Sequence, residues 1–326
     1  MIISLMLLCA FIVICLLISS YQKKRNAMCK SKKHLNGRTA IVTGGTSGIG
    51  LEIALDFASR GAKVIIACPF NDEGIEARNR IIEKTGNRNV IFKLLDLASL
   101  NSVRQFAKDI LKTEDRLDIL MNNAGVGIPG DFQTDDGMGF IMQVNYYGHF
   151  LLSILLLPLL MRTGTESDKS RIVNMTSITR YIGSYDVDNY DKIRYWFKVR
   201  IYSNSKLCFV LFSRALAKRL EGCNVVVNSA DPGLVGTKIY ESCNVLIGFI
   251  VKHFLNIFFK NSLEGAQTAL QIALDDKCGL QSGKIYENCE VVNNKFFDNI
   301  DTASEKLWER SIKLVKLENH ELEFLK

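Results

Sequence analysis

Acidic side chains are absent from the first 38 residues, which carry seven lysines and arginines and so account for the net charge of +7. The rest of the chain is formally neutral, which excludes the broad basic surface of a nucleic-acid-binding protein. Charge of either sign is also absent from residues 2 to 20. About 20 apolar residues are what a helix needs to cross the hydrocarbon core of a bilayer. These absences predict a membrane partner and no nucleic-acid partner.

The apolar run and the basic segment behind it set the predicted domain organisation. Residues 1–21 are expected to form a transmembrane anchor, residues 22–37 a basic juxtamembrane linker, and residues 38–326 one folded domain. Positive flanks stay on the cytoplasmic side of a membrane, so the domain is expected to face the cytosol. A cleaved secretory signal is the alternative, although its positive charge would precede the apolar run.

The nine cysteines contain no pair with the spacing of a metal site or a redox motif. No metal is therefore predicted, and the cysteines are interpreted as free thiols in a reducing compartment. One or two disulfides in a lumenal protein stay open as the alternative.

From residue 39 onward, short β-branched runs alternate with longer amphipathic stretches, and no internal repeat interrupts them. This alternation predicts an α/β fold, a Rossmann-type doubly wound sheet of seven parallel strands with helices on both faces. The predicted strands are Thr39–Thr43, Lys63–Cys68, Val90–Leu95, Leu117–Met121, Arg171–Thr176, Asn224–Ser229 and, weakly, Lys284–Tyr286. The predicted helices include Ile49–Ser59, Leu100–Lys112, Met138–Leu160 and Ser203–Leu220.

A glycine-rich turn follows the first predicted strand and opens directly into a helix. Glycine lets the backbone turn sharply and approach a pyrophosphate, while the helix N-terminus supplies N–H donors. A tight strand-to-helix connection without a ligand is the alternative. The predicted dinucleotide contacts in this turn are Gly44, Thr46, Ser47, Gly48, Ile49 and Gly50.

The residues that end later strands are the next candidates, because ligands of such sheets lie beyond the carboxyl ends of the strands. Asp96 and Leu97 end the third strand, where the carboxylate is placed to accept from an adenine amino group. Asn123, Ala124 and Gly125 follow the fourth strand. Ordinary turn chemistry is the alternative for both segments.

One tyrosine of the ten, Tyr202, has a lysine four residues later, Lys206. On a helix this spacing places both side chains on one face. A nearby ammonium lowers the pKa of a phenol, which makes the tyrosine a usable acid/base at neutral pH. Ser177, at the end of the fifth strand, is a candidate donor to a substrate oxygen, and Asn145 a candidate anchor for a proton-relay water. The alternatives are that Ser177 is a capping or turn residue and that Asn145 is an ordinary polar residue of a helix.

Residues 38 to about 290 resemble the short-chain dehydrogenase/reductase family. The resemblance rests on the coenzyme turn, the Asn-Asn-Ala-Gly segment and the tetrad of Asn145, Ser177, Tyr202 and Lys206. It implies an NAD(P)-dependent enzyme in which Tyr202 is the general acid/base. By the same resemblance, Tyr202 and Lys206 also contact the coenzyme, as do Pro232, Gly233 and Thr237.

Within the family, the chain is most similar to the membrane-associated retinol dehydrogenase-like branch and its polyprenol dehydrogenase-like members. The N-terminal anchor and the Asp231-Pro232-Gly233 turn carry this narrower likeness, although retinol-type members usually have histidine in place of Asp231. The likeness implies the endoplasmic reticulum membrane as location.

Coenzyme choice is read at the end of the second strand, where an acid favours NAD and an arginine favours NADP. This chain has Cys68 and Pro69 there, so both determinants are missing. Losing the acid removes the repulsion of a 2′-phosphate, and NADP is therefore favoured slightly over NAD. Asp72, the nearest acid, is the candidate that would restore NAD binding.

Two apolar segments predict a hydrophobic substrate such as a retinoid, steroid or polyprenol. Six aromatic residues lie between Ser177 and Tyr202, where they either wall a pocket or pack onto the domain. Val245–Phe259 is interpreted as a helix at the pocket mouth that touches the bilayer, with core packing as its alternative.

The sequence leaves open an alternative function and the oligomeric state. A non-catalytic scaffold or sensor that binds NAD(P)H at a membrane is the alternative function. A homodimer through the helices Met138–Leu160 and Ser203–Leu220, the surfaces on which relatives commonly associate, is the assembly to test.

Overall fold

A computed structural model of the chain describes residues 6, 10, 12–14, 16–17, 19–21, 26–127, 132–192, 198–235, 260–293 and 300–325. Within these ranges, eight strands form one sheet in the order β3-β2-β1-β4-β5-β6-β7-β8. The strands are β1 (Thr39–Thr43), β2 (Lys63–Cys68), β3 (Val90–Leu94), β4 (Ile119–Asn122), β5 (Ser170–Met175), β6 (Val225–Asp231), β7 (Ile285–Glu287) and β8 (Glu290–Val291).

The first seven strands run parallel, and β1 pairs with both β2 and β4. The chain therefore reverses its direction of winding between β1 and β4, which is the switch point where doubly wound sheets bind ligands. Almost every residue of the central strands is buried, because helices cover both faces of the sheet.

The helices form the two outer layers. They are α1 (Gly48–Ser59), α2 (Asn71–Thr85), α3 (Leu100–Thr113), α4 (Phe140–Thr163), α5 (Lys198–Arg219), α6 (Ser262–Leu274) and α7 (Asp301–Leu314). The apolar sides of the helices and the sheet make two cores, one on each face. The α/β doubly wound prediction is thus confirmed.

The prediction of seven parallel strands is wrong in one detail, since β8 adds an eighth strand antiparallel to β7. A two-residue turn joins them, with positive φ at Asn288 (52°) and Cys289 (66°). Such a turn matches the twist of a tight hairpin. The strand has only two residues, too few for an alternating pattern to show in the sequence.

The described residues contain one helix long and apolar enough to cross a membrane, α4. Its most apolar stretch is 83% buried inside the domain, so α4 is a core helix here. The described residues between 6 and 21 are helical, and the rest of the predicted anchor lies outside the described residues.

Part of the predicted linker contacts the domain. The backbone N–H of Cys29 donates to the Gln267 side chain on α6 at 3.1 Å, and Arg60 donates to the carbonyl oxygens of Ser31 and Lys33 at 2.9 and 3.0 Å. Leu35 is buried beneath this segment. The contacts of the domain thus include described residues before residue 38.

The C-terminal helix α7 covers the outer side of α5. The Trp308 ring stacks on Phe212 with ring centres 6.2 Å apart and meets Phe150 of α4 edge-on at 5.4 Å. The Arg219 guanidinium lies 4.1 Å from the Trp308 ring centre. The surface named above for a homodimer is therefore occupied at these positions by the chain's own C-terminus.

Candidate active site at the carboxyl edge of the sheet

The glycine turn after β1 has the shape that a dinucleotide phosphate requires. Gly44 and Gly48 have φ of 64° and 56°, in the left-handed region that side chains disfavour. A Cβ on Gly44 would lie 2.9 Å from the Cα of Ala124, so only glycine fits this crossing. No side chain caps the first turn of α1, whose N–H groups point to the same edge of the sheet. These features fit a coenzyme pyrophosphate.

Thr43 and Asn123 hold the glycine turn against the segment after β4. The Thr43 hydroxyl oxygen accepts from the backbone N–H groups of Asn123 and Ala124 at 2.9 and 3.0 Å. The Asn123 amide donates back to the carbonyl oxygens of Thr43 and Gly44 at 2.9 and 3.3 Å. The two motifs found separately in the sequence are one hydrogen-bonded unit at the switch point.

A cavity of about 860 Å³ runs along this edge of the sheet. Its volume suits a ligand of dinucleotide size together with a substrate. The predicted residues that line it are Gly44, Thr46, Ser47, Gly48, Ile49, Gly50, Asp96, Leu97, Asn123, Ala124, Gly125, Ser177, Tyr202, Lys206, Pro232 and Gly233. Thr237 lies outside the described residues.

Asp96 lines the cavity and also makes a turn contact. Its Oδ1 accepts from the backbone N–H of Ala98 at 2.8 Å. A carboxylate has further lone pairs to offer, so both interpretations of this residue are compatible.

Ser177, Tyr202 and Lys206 come together at the other end of the cavity. The helix α5 begins at Lys198, earlier than predicted, so Tyr202 and Lys206 both lie within it. The Lys206 Nζ is 5.7 Å from the Tyr202 ring centre and donates to the carbonyl oxygen of Met175 at 3.2 Å. The Ser177 hydroxyl accepts from the N–H of Thr179 at 3.3 Å, which leaves its own proton to donate.

Burial changes the chemistry of Lys206. Its side chain is 4% exposed, and this desolvation lowers its pKa to about 8. It therefore stays mostly charged at neutral pH. A positive charge at this distance from the Tyr202 ring would favour the phenolate form of that side chain.

Asn145 does not line the cavity and acts one layer behind it. It lies in a π-helical turn, Gln143–Tyr147, inside α4. Its side chain accepts from the N–H of Val126 at 2.7 Å and donates to the Ser205 hydroxyl at 3.0 Å, next to Lys206. Such wide turns are frequent at functional sites. This location fits a residue that shapes the lysine end of the cavity.

Sequence reasoning missed His149, which is fully buried on α4. Its Nε2 lies 2.9 Å from the Thr43 hydroxyl oxygen and its Nδ1 lies 3.3 Å from the Asn145 carbonyl oxygen. The Asn145 carbonyl oxygen can only accept, so the neutral ring carries its proton on Nδ1, and Nε2 accepts from the Thr43 hydroxyl, which also lies 3.3 Å from the Met121 carbonyl oxygen. The Nδ1–H then donates to Asn145. The one available signal was a polar residue in an otherwise apolar run.

Arg180 and Asp231 were also missed as partners. Both side chains are fully buried and form an ion pair between the Ser177 segment and the Pro232-Gly233 turn. A charged residue shortly after a strand end was the only hint of Arg180 in the sequence.

The wall of the cavity near Tyr202 is apolar. It is formed by Val126, Phe140, Val144, Ile178 and Val199. Ile178 and Val199 are 38% and 49% exposed, so apolar surface reaches the opening. This end of the cavity therefore offers apolar surface to a ligand.

The described aromatic residues of the segment between Ser177 and Tyr202 do not make this wall. Tyr190 is buried in the core and donates to the Ser184 carbonyl oxygen at 2.6 Å, and Tyr185 packs against the same core. These tyrosines therefore pack onto the domain. The remaining aromatics, at 195–197, and the segment Val245–Phe259 lie outside the described residues.

At the end of the cavity beside β2, the lining residues are Cys68, Pro69, Phe70 and the acid Glu73. Asp72, the acid singled out from the sequence, is not among the lining residues. Lys206, at the far end, is the one lysine or arginine among the described residues that line the cavity.

The six cysteines within the described ranges are free thiols. No group of three or more histidine, cysteine, aspartate or glutamate side chains suited to a metal ion occurs in that part of the chain.

Phosphate turn, cavity and tyrosine–lysine pair together define an oxidoreductase that uses a nicotinamide coenzyme. The short chain dehydrogenase family profile matches residues 38–245. The chain belongs to the short-chain dehydrogenase/reductase family, which confirms the family resemblance. It is an NAD(P)-dependent enzyme acting on an alcohol or carbonyl group.

Individual relatives agree with this assignment. Mouse retinol dehydrogenase 11 is 37% identical over 292 residues, covering 90% of each chain. Bovine dehydrogenase/reductase SDR family member 13 is 38% identical, covering 89% of this chain and 76% of its own. Among solved structures, the Pseudomonas aeruginosa RhlG/NADP active-site complex is similar with a TM-score of 0.63 and 26% identity, covering 78% of this chain and 95% of that chain.

Proposed function

We propose that the protein interconverts an alcohol and a carbonyl group on a hydrophobic lipid, of the retinoid, steroid or polyprenol class. The observation that carries this proposal is the apolar wall beside Ser177 and Tyr202, open to solvent at Ile178 and Val199. The names of the retinol dehydrogenase relatives support the same class. A polar substrate would leave this wall without a partner.

We propose a separate role in the reaction for each of the four site residues. Tyr202 gives a proton to the carbonyl oxygen or takes one from the alcohol. Ser177 donates a hydrogen bond to the same oxygen, and the charge on Lys206 eases proton loss from Tyr202. Asn145 maintains the backbone around Val126 and the position of Ser205 beside the lysine.

NAD(P) is proposed to lie along the cavity with its pyrophosphate on Gly44–Gly50 and its adenine near Asp96. Tyr202, Lys206, Pro232 and Gly233 are the proposed contacts at the nicotinamide end. When bound, the nicotinamide ring supplies or accepts the hydride.

Coenzyme preference is proposed to be small. The missing acid at the end of β2 favours NADP, as inferred from the sequence. Glu73 opposes this preference, because its carboxylate lines the adenosine end and would repel a 2′-phosphate.

The membrane location is proposed from the N-terminal sequence. We expect an anchor at residues 1–21, followed by basic residues, to hold the domain on the cytosolic face of the endoplasmic reticulum. Protease treatment of sealed microsomes checks this orientation. The domain should be digested without detergent, and protection until detergent is added would contradict the proposal.

The substrate class is tested with purified membranes that contain the protein. Retinol, steroid and polyprenol substrates are offered with NAD or NADP, and reduced coenzyme is followed. The Tyr202→Phe variant should lose nearly all turnover while it still binds coenzyme. Tyr286→Phe removes a buried hydroxyl outside the cavity and serves as the matched control.

Two outcomes would contradict the proposal. Faster turnover of short water-soluble ketones than of any lipid would exclude the lipid class. Coenzyme binding without turnover of any substrate would favour the alternative of a membrane-bound scaffold or sensor.

A further inference from the structure

Arg180 is the largest side chain that is fully buried in the described residues. It lies in the 3₁₀ helix Ile178–Ile182, three residues after Ser177. Its guanidinium pairs with Asp231, the last residue of β6, and both side chains are 0% exposed. The two residues are 51 positions apart in the chain.

Each member of this pair also holds a segment that lines the cavity. The Arg180 Nη1 donates to the Ser177 carbonyl oxygen at 3.0 Å. The Asp231 Oδ1 accepts from the backbone N–H of Gly233 at 2.8 Å. The ion pair is therefore a bridge from the serine segment to the Pro232-Gly233 turn.

The other side of the guanidinium is held as well. Its Nη2 donates to the Tyr181 hydroxyl at 3.1 Å and to Glu287 at 3.3 Å. The Tyr181 ring lies 4.4 Å from the guanidinium carbon. Contacts from three directions keep Arg180 in one orientation.

A contribution to the stability of the fold does not by itself explain why two charged side chains are buried here. Desolvating two charges costs about as much as their attraction returns, and apolar replacements of buried pairs are often neutral or stabilising. Geometry is the better reason, because a planar guanidinium fixes the direction of several hydrogen bonds at once.

We propose that Arg180 and Asp231 are positioning residues that hold Ser177 at a set distance from the Pro232-Gly233 turn. This inference rests on the proposed function, in which Ser177 orients the substrate oxygen and the turn contacts the nicotinamide. Neither side chain touches the reacting atoms. The pair sets the spacing between the substrate oxygen and the coenzyme, and so acts on kcat.

The first test needs no substrate. Hydrogen–deuterium exchange is measured on Arg180→Met and on Arg171→Met, a matched loss of a buried arginine. Arg171 lies on β5 and donates to the carbonyl oxygens of Ile272 and Asp275, outside the cavity. Exchange of residues 231–235 should rise at least threefold in Arg180→Met and stay unchanged in Arg171→Met. Unchanged exchange there in Arg180→Met, or an equal rise in both variants, would overturn the proposal.

The second test separates positioning from folding. The double variant Arg180→Met/Asp231→Asn leaves no unpaired buried charge and keeps an acceptor for Gly233. It should unfold at a denaturant midpoint close to that of the wild type, yet its kcat should fall at least tenfold. Adding Ser177→Ala should lower kcat by a smaller factor in this double variant than in the wild type, because Ser177 is already misplaced.

The outcomes separate the two claims. A folded double variant with kcat within threefold of the wild type, or additive effects of Ser177→Ala, would overturn the positioning role. If the wild type turns over no lipid, the proposed substrate class fails. The exchange measurement then decides the inference by itself.

Discussion

The imidazole Nε2 of His149 lies 2.9 Å from the Thr43 hydroxyl oxygen, although 106 residues separate them. This contact joins α4, which carries Asn145, to the turn that is proposed to hold the coenzyme phosphates. A neutral imidazole is required, because Nε2 must accept while Nδ1 donates. Two parts of the site are thus linked by one buried ring.

The buried imidazole should make stability depend on pH. Burial, and then the charge on Lys206, lower the pKa of His149 to about 3 from its usual 6.5. The unfolded chain binds the proton more readily between these values, so the free energy of unfolding should fall as pH drops below 6.5. At pH 5 the loss from this residue is about 2 kcal/mol.

Urea unfolding in detergent at pH 7.5 and 5.0 measures this effect. His149→Gln, which does not titrate, should show the smaller difference between the two pH values. His320→Gln, at a surface position, is the control and should behave as the wild type does. Equal differences in all three proteins would refute the prediction.

Lys206→Met should separate stability from activity. Because burial lowers the pKa of Lys206 to about 8 from 10.5, its charged form destabilises the coenzyme-free fold below pH 8. This cost disappears as pH rises from 8 to 10.5. The variant should gain about 1 to 3 kcal/mol in the free energy of unfolding at pH 7 and lose turnover. A variant that is both less stable and active would contradict this account.

Glu73 should limit the use of NADP. Glu73→Gln removes the carboxylate at the adenosine end, and we expect kcat/KM for NADP relative to NAD to rise about threefold to tenfold. Glu76→Gln changes an exposed acid on the same helix and leaves that ratio unaltered. The same shift in both variants would show a general charge effect and no local role of Glu73.

Trp308 should account for much of the attachment of α7. It is 5% exposed and contacts both Phe212 and Arg219, so Trp308→Ala is expected to lower the free energy of unfolding by about 3 to 5 kcal/mol. Lys306→Ala on the exposed side of the same helix should change it little. A free energy of unfolding equal to that of the wild type would refute the prediction. Sedimentation of the Trp308→Ala protein shows, in addition, whether uncovering Phe212 and Phe150 promotes self-association.

Much of the fold could be predicted from local patterns. The bounds of β1 and β2 match the prediction, because each is a short β-branched run buried on both faces. The start of α5 was predicted five residues late, since Lys198 to Tyr202 lack a clear apolar period. The strand β8 was missed because two residues make no pattern.

Parts of the site resisted prediction for a different reason. Tyr202 and Lys206 were found because their spacing on a helix carries the chemistry. Arg180 and Asp231 could not be found as partners, because the local sequence around each residue does not indicate a contact with the other. His149 looked like one polar residue in an apolar helix.

The order of residues along the chain sets the chemistry that is available: glycines where the backbone needs positive φ, a tyrosine and lysine one helical turn apart, and an uncharged first segment. These are properties of neighbouring residues, whose geometry follows from the chain alone. The packing of the folded chain sets which polar groups are removed from solvent and which groups they then contact. It neutralises His149, lowers the pKa of Lys206 and joins Arg180 to Asp231, because desolvation and long-range pairing depend on packing and not on spacing.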